Sequence, residues 1–186
     1  MQAPHFRFKA RRAARGFTLV EAMVTVVIVG ILATMAIAGT RKYVATSKTS
    51  EAIDMIRHIR DSQESYKQEM FGYLNVSTDF SNSSYYPNNP NPGRSKMLFA
   101  GPGTGQAGWQ TLNVQTDGPV TFVYATTAGV NSAPTSLGTD ITVSNWPGTV
   151  NAPWYVVKAR ADFTGTGVYT VFAAASFTND LYSANP

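Results

Sequence analysis

Between Ala22 and Thr40 the chain reads AMVTVVIVGILATMAIAGT, nineteen residues without a charge. As a helix, residues 17–40 would measure ~36 Å, enough to cross a hydrocarbon core of about 30 Å. A chain of 186 residues is too small to need so long and so apolar a helix inside a soluble core. The run therefore reads as a membrane span. One acid, Glu21, stands at its start, and Arg41-Lys42 close it.

What precedes the span is basic. Residues 1–16 hold Arg7, Lys9, Arg11, Arg12 and Arg15 and no acid, while the rest of the chain holds 10 basic and 11 acidic residues. The net charge of +4 thus belongs to the leader. This argues against nucleic-acid binding, which places a basic patch on the folded domain. The absence of cysteine removes disulfides, thiolate metal sites and a Cys nucleophile. The two histidines, His5 and His58, lie far apart, which leaves little for a zinc site or a Ser-His-Asp triad. No phosphate loop, nucleophile elbow or metal cluster appears, so neither an enzyme nor a cofactor is expected.

Beyond Lys42 the pattern becomes amphipathic. Ala45, Ala52, Ile56, Ile59, Tyr66 and Met70 recur at helical spacing, with Lys48, Glu51, Asp54, Arg57, Arg60, Asp61, Glu64 and Lys67 between them. No proline occurs from 17 to 86, and Gly72 offers a stop. One long helix over about 17–70 is expected. Residues 72–118 are rich in turn-formers and read as loop, with a short strand at 97–99. The remainder, 119–186, alternates as an antiparallel sheet head. Val120, Phe122 and Tyr124 line one strand. Tyr155, Val157, Ala159, Ala161 and Phe163 line a second, and Val171, Ala173, Ala175 and Phe177 a third. Thr164-Gly-Thr-Gly167 suits a hairpin connection between the last two. The fold class is α+β, with the apolar sheet face packed on the stripe Ile56, Ile59 and Tyr66.

At RGFTLVEAMVTVVIVGILATMAIAG the chain resembles the type IV prepilin family. In that family a basic leader ends in Gly before an aromatic, followed by Thr, two aliphatics and Glu. Here these are Gly16, Phe17, Thr18, Leu19, Val20 and Glu21, and the close match covers residues 11–40. The resemblance implies the type IV pilin fold and cleavage between Gly16 and Phe17 by a prepilin peptidase, which methylates the new Phe17 amine. The retained span, marked by Ala22, Gly30 and Thr40, then leaves the membrane at an assembly platform and forms the filament core with copies of itself and other pilins. In the family the glutamate, here Glu21, pairs with the amine of a neighbouring subunit. An ionised carboxylate in an apolar layer is costly, so pairing is also what physics favours.

Departures from the major-pilin pattern are Ala38, where those proteins usually have proline, and the absence of a C-terminal cysteine pair. Gly30 and Gly39 still weaken the helix. The resemblance also admits a type II secretion pseudopilin, which uses the same N-terminal device. A third reading is an exported binding protein or enzyme whose signal peptide is cut after Ala38, since Ala36-Ile-Ala38 follows an apolar run. The five leader cations outnumber Arg41, Lys42 and Lys48 and favour a cytoplasmic N-terminus and a periplasmic head. Asp162-Phe-Thr-Gly-Thr-Gly167 has one carboxylate, too few for calcium. Asn75-Val-Ser77 and Asn82-Ser-Ser84 match a glycosylation pattern.

Overall fold

A computed structural model describes residues 16–100, 103 and 105–185, without the side chains of Ala38, Arg41, Lys42 and Ala45. The leader up to Arg15 therefore lies outside the described residues. So do the side chain at the missing-proline position, Ala38, and the first position of the stripe, Ala45. The chain divides into two units, one ending at Val44 and one beginning at Ala45.

Helix α1 spans Leu19–Met70. In the first unit its large apolar side chains are all exposed, from Leu19 to Ile37 and on to Tyr43 and Val44. In the second unit, Ala52, Met55, Ile56 and Ile59 are buried, and Tyr66 packs against them. Met70 does not join them and is 61% exposed. The helix stops because Phe71 turns left-handed, with φ 59°. Gly72, the stop expected from its backbone freedom, comes one residue later.

The head sheet has four antiparallel strands in the order β1-β2-β3-β4: β1 Val123–Ser132, β2 Val150–Ala161, β3 Thr170–Ala175 and β4 Leu181–Ala184. β4 lies at one edge and was not expected. Val120 and Phe122 precede β1, with Val120 bridged to Met97. The segment 97–99 thus makes a single bridge rather than a strand. The loop 72–118 also contains a short helix, α2 Gln106–Thr111, which buries Trp109.

Both sheet faces are covered, where one was expected. Tyr124, Tyr155, Val157, Ala159 and Ala161 share a cluster with Ile56 and Ile59 of α1. The opposite face carries Trp154 and Val156 under Leu137 and Ile141 of the irregular segment 133–149. The assignment of Val171, Ala173 and Ala175 to the helix side is corrected by the register. Phe172 stands opposite Ala159 and Ala174 opposite Val157, and directly paired residues share a face. Phe172 and Ala174 therefore meet α1's cluster, while Val171, Ala173 and Ala175 face the 133–149 segment.

Candidate functional site

The N-terminal motif begins with a helix cap. Thr18 Oγ1 accepts a hydrogen bond from the Glu21 N–H at 3.2 Å, and Ala22 N–H donates to the Thr18 carbonyl at 3.1 Å. Thr-x-x-Glu is the spacing of a capping box, so Thr18 satisfies one of the donors left open at the helix start. Glu21 lies in the first turn of α1, where the helix dipole favours a negative charge. Gly16 and Phe17 precede the helix and are exposed, Phe17 at 76%. The Gly16–Phe17 peptide thus lies in non-helical backbone.

Along the span the threonine hydroxyls bond to the helix itself. Thr25 donates to Ala22 O, Thr34 to Ile31 O and Thr40 to Ala36 O. The Glu21 carboxylate, by contrast, has no hydrogen bond or ion pair with the described residues. Around it the side chains of Leu19–Ile37 are apolar and unburied, and this stretch is long and apolar enough to cross a membrane. Exposing side chains of this size costs about 1.5–3 kcal/mol each in water, so the surface needs lipid or protein around it. Ala22, Gly30 and Thr40 are exposed on this helix. A Cβ built at Gly30 or Gly39 meets nothing within 4 Å, so the chain's own fold does not demand glycine there.

In the head, Ile56 and Ile59 are brought together with Tyr155 and Val157, with Tyr66 at the margin. Residues that sequence reasoning passed over fix this packing. Gln63 is fully buried; its Nε2 donates to Leu74 O at 2.8 Å and its Oε1 accepts from Leu74 N–H at 2.9 Å. Glu51 accepts from the Thr121 backbone N–H and, at 3.0 Å, from its hydroxyl. On the far face Lys158 donates to Leu137 O and pairs with Asp140 at 3.0 Å. Burial holds the Lys158 ammonium below the usual lysine range, partly opposed by Asp140. The available signal was polar residues at apolar positions: Gln63 between Ile59 and Tyr66, and Lys158 between Val157 and Ala159.

The Asp162 carboxylate accepts from the N–H groups of Thr164, Gly165 and Gly167, which closes the β2–β3 turn. These bonds hold its pKa below the usual carboxylate value, the Gly167 bond most. Among the described residues no group of three or more His, Cys, Asp or Glu is placed to hold a metal ion.

Comparison with known proteins points the same way. A family model described as the prokaryotic N-terminal methylation motif matches residues 11–37. The chain thus carries the motif of prepilin-type proteins, on an α+β body of one long helix and a four-stranded antiparallel sheet. Over 76 residues it is 42% identical to the type IV major pilin protein PilA of Myxococcus xanthus (strain DK1622). That match covers 41% of this chain, and it spans about a third (32%) of the relative's length. No solved structure matches with significance.

Proposed function

We propose that this chain is a structural subunit of a type IV pilus, processed at Gly16–Phe17, methylated on the Phe17 amine by a prepilin peptidase, and polymerised through α1. The observation that carries the reading is the Glu21 carboxylate, without a partner among the described residues, on a span whose Thr25, Thr34 and Thr40 hydroxyls bond to the helix itself. Cleavage creates a cationic amine four residues before it. A neighbouring subunit's amine can then pair with Glu21 in a dry layer, where charge sets axial register. Before assembly the helix anchors the chain in the inner membrane, N-terminus inside, with the head in the periplasm. An assembly platform then feeds it into the filament. The relative is named a major pilin, which favours the pilus over a secretion pseudopilus. A cut after Ala38 would fall inside α1 (Leu19–Met70), which counts against a cleaved signal peptide.

Glu21→Ala tests this. The variant should remain in the membrane, since removing a charge lowers insertion cost. Losing one partner of a buried pair costs about 3–5 kcal/mol, so filaments should fall at least a hundredfold, and Glu21→Gln should share most of the defect. The readout is sheared-filament yield against membrane subunit, with cleavage after Gly16 confirmed by intact mass. Normal yield from cleaved Glu21→Ala subunits refutes the pairing.

A further inference from the structure

On the sheet face turned away from α1, Arg160 lies buried, 7% exposed, between two aromatic rings. Its guanidinium carbon stands 4.0 Å from the Tyr85 ring centroid and 4.7 Å from that of Tyr169. Ring faces attract the cation, but they accept none of its in-plane N–H groups. Arg160 Nε is buried without an acceptor, and so is the Tyr85 hydroxyl. The terminal nitrogens are not among the sealed atoms and bond to no described residue. No carboxylate among the described residues pairs with Arg160: Asp140 is taken by Lys158, and Asp79 Oδ1 accepts from Ser81 and Ser84. A guanidinium carries donors only, in a planar fork matched to a carboxylate. What this place lacks is an anionic acceptor.

We propose that Arg160, framed by Tyr85 and Tyr169, is a docking slot for a carboxylate of a second copy of this chain, supplied by Asp61 or Glu69 on the outward face of α1. Charge complementarity calls for an acid with no partner of its own, and among the acids that α1 contributes to the head these two qualify. Both are exposed and unpaired among the described residues, whereas Asp54 holds Arg57, Glu64 accepts from Tyr73 and Glu51 holds Thr121. Within one copy they cannot serve Arg160, because the sheet lies between α1 and the face that bears it. Between copies they can, since open helical assemblies join two unlike patches of the same subunit. The inference rests on the filament reading, and it adds a head-to-head contact that the N-terminal motif does not supply.

The test uses the full-length chain in its own membrane. Arg160→Met keeps the stem between the tyrosines and removes the fork; Arg160→Lys keeps the charge and loses the planar fork. Both should leave the melting temperature of the detergent-solubilised chain unchanged or raised and cut sheared-filament yield at least tenfold. The chain contains no cysteine. Val168→Cys, beside Tyr169 and 57% exposed, can therefore be combined with Ser65→Cys, an exposed position one helical turn from both Asp61 and Glu69 that leaves both acids in place. A bis-maleimide should then cross-link intact filaments into ladders and leave membrane subunits monomeric. If Arg160→Met fails to fold, the ladder decides. Normal filament yield, absent ladders, or a filament loss that tracks a fall in melting temperature each overturn the slot. Acetate that raises the melting temperature through Arg160 without altering yield assigns it to a free anion and overturns the contact. Filaments that need Arg160 but not Glu21 keep this inference and sink the Glu21 pairing; the reverse sinks this one.

Discussion

Replacing Gln63 with Met isolates the polar latch between α1 and the head. Gln63 is 0% exposed and ties three pieces of chain: its own helix, Leu74 just past the helix end, and Thr126 of β1, whose hydroxyl lies 3.3 Å from Nε2. Met fills nearly the same volume, so the cavity term is small. What remains is the loss of partners for the Leu74 N–H and C=O. A buried group left unsatisfied costs about 1–3 kcal/mol. Leu74 is only half-buried, so its two groups together should cost about 2–4 kcal/mol. In a unit of this size, 1 kcal/mol moves the melting temperature by roughly 3 °C, predicting a drop of about 6–12 °C. Trp109, Trp146 and Trp154 all belong to the unit that begins at Ala45, so tryptophan fluorescence in detergent reports its unfolding. Gln68→Met, on the exposed face, should stay within about 0.5 kcal/mol. A Gln63→Met loss below about 1 kcal/mol would show that water satisfies Leu74 and that the latch is incidental.

Two further outcomes are expected of the head. Burial raises the Tyr85 and Tyr124 phenols well above their ordinary value of 10.0. Their contribution is therefore complete below pH 10 and lost as pH climbs beyond it, because the unfolded chain then releases protons the folded one keeps. Tyr124→Phe should blunt this alkaline loss and be neutral or stabilising by about 1 kcal/mol at pH 7, since its hydroxyl is buried without a partner. A destabilised Tyr124→Phe would contradict this. A chain starting at Ala45 should be soluble, monomeric and cooperatively folded, whereas one starting after Met70 loses Ile56, Ile59 and Gln63 and should aggregate. Cooperative unfolding of the shorter chain would remove α1 from the head's core.

Helix α1 was legible because two strong patterns adjoin, a charge-free run and then a period of three and four, with no proline to break them. β2 was equally legible, since Tyr155, Val157, Ala159 and Ala161 alternate. The orientation of β3 was not. Thr170–Ala175 reads TVFAAA, apolar on both faces, so a period of two carries no direction, and only the pairing of Ala159 with Phe172 settles it. The segment 133–149 resembles a loop because Leu137, Ile141, Val143 and Trp146 follow no period; they cover the sheet without forming a strand or helix. Lys158 and Arg160 mark that second layer in advance. Charges in the middle of an apolar strand need something above them, and Asp140 is part of it. At the N-terminus, the Thr18–Glu21 spacing of a capping box was present but passed over, and the helix was expected from 17 rather than Leu19.

In the head, polar groups fix how α1 sits on the sheet, and the proposed Glu21 pairing would do the same in the span. Apolar packing is non-directional, so a helix lying on a sheet through Ile56 and Ile59 alone can slide or roll at little cost. Glu51 on Thr121 and Gln63 on Leu74 and Thr126 pin it at two points. Those points are twelve residues apart, ~18 Å along the axis. Two fixed points determine both register and rotation, which is why polar groups are kept inside an apolar contact despite their desolvation cost. In the span the apolar surface is more uniform still, so axial sliding between packed helices meets even less resistance. There the acid that could act as a pin is Glu21, and nothing described in its own chain receives it. Under the proposed pairing, the matching group belongs to a neighbour. A Glu21 variant should therefore fail in register before it fails in packing: filaments that do form should be irregular along their axis while their diameter is unchanged.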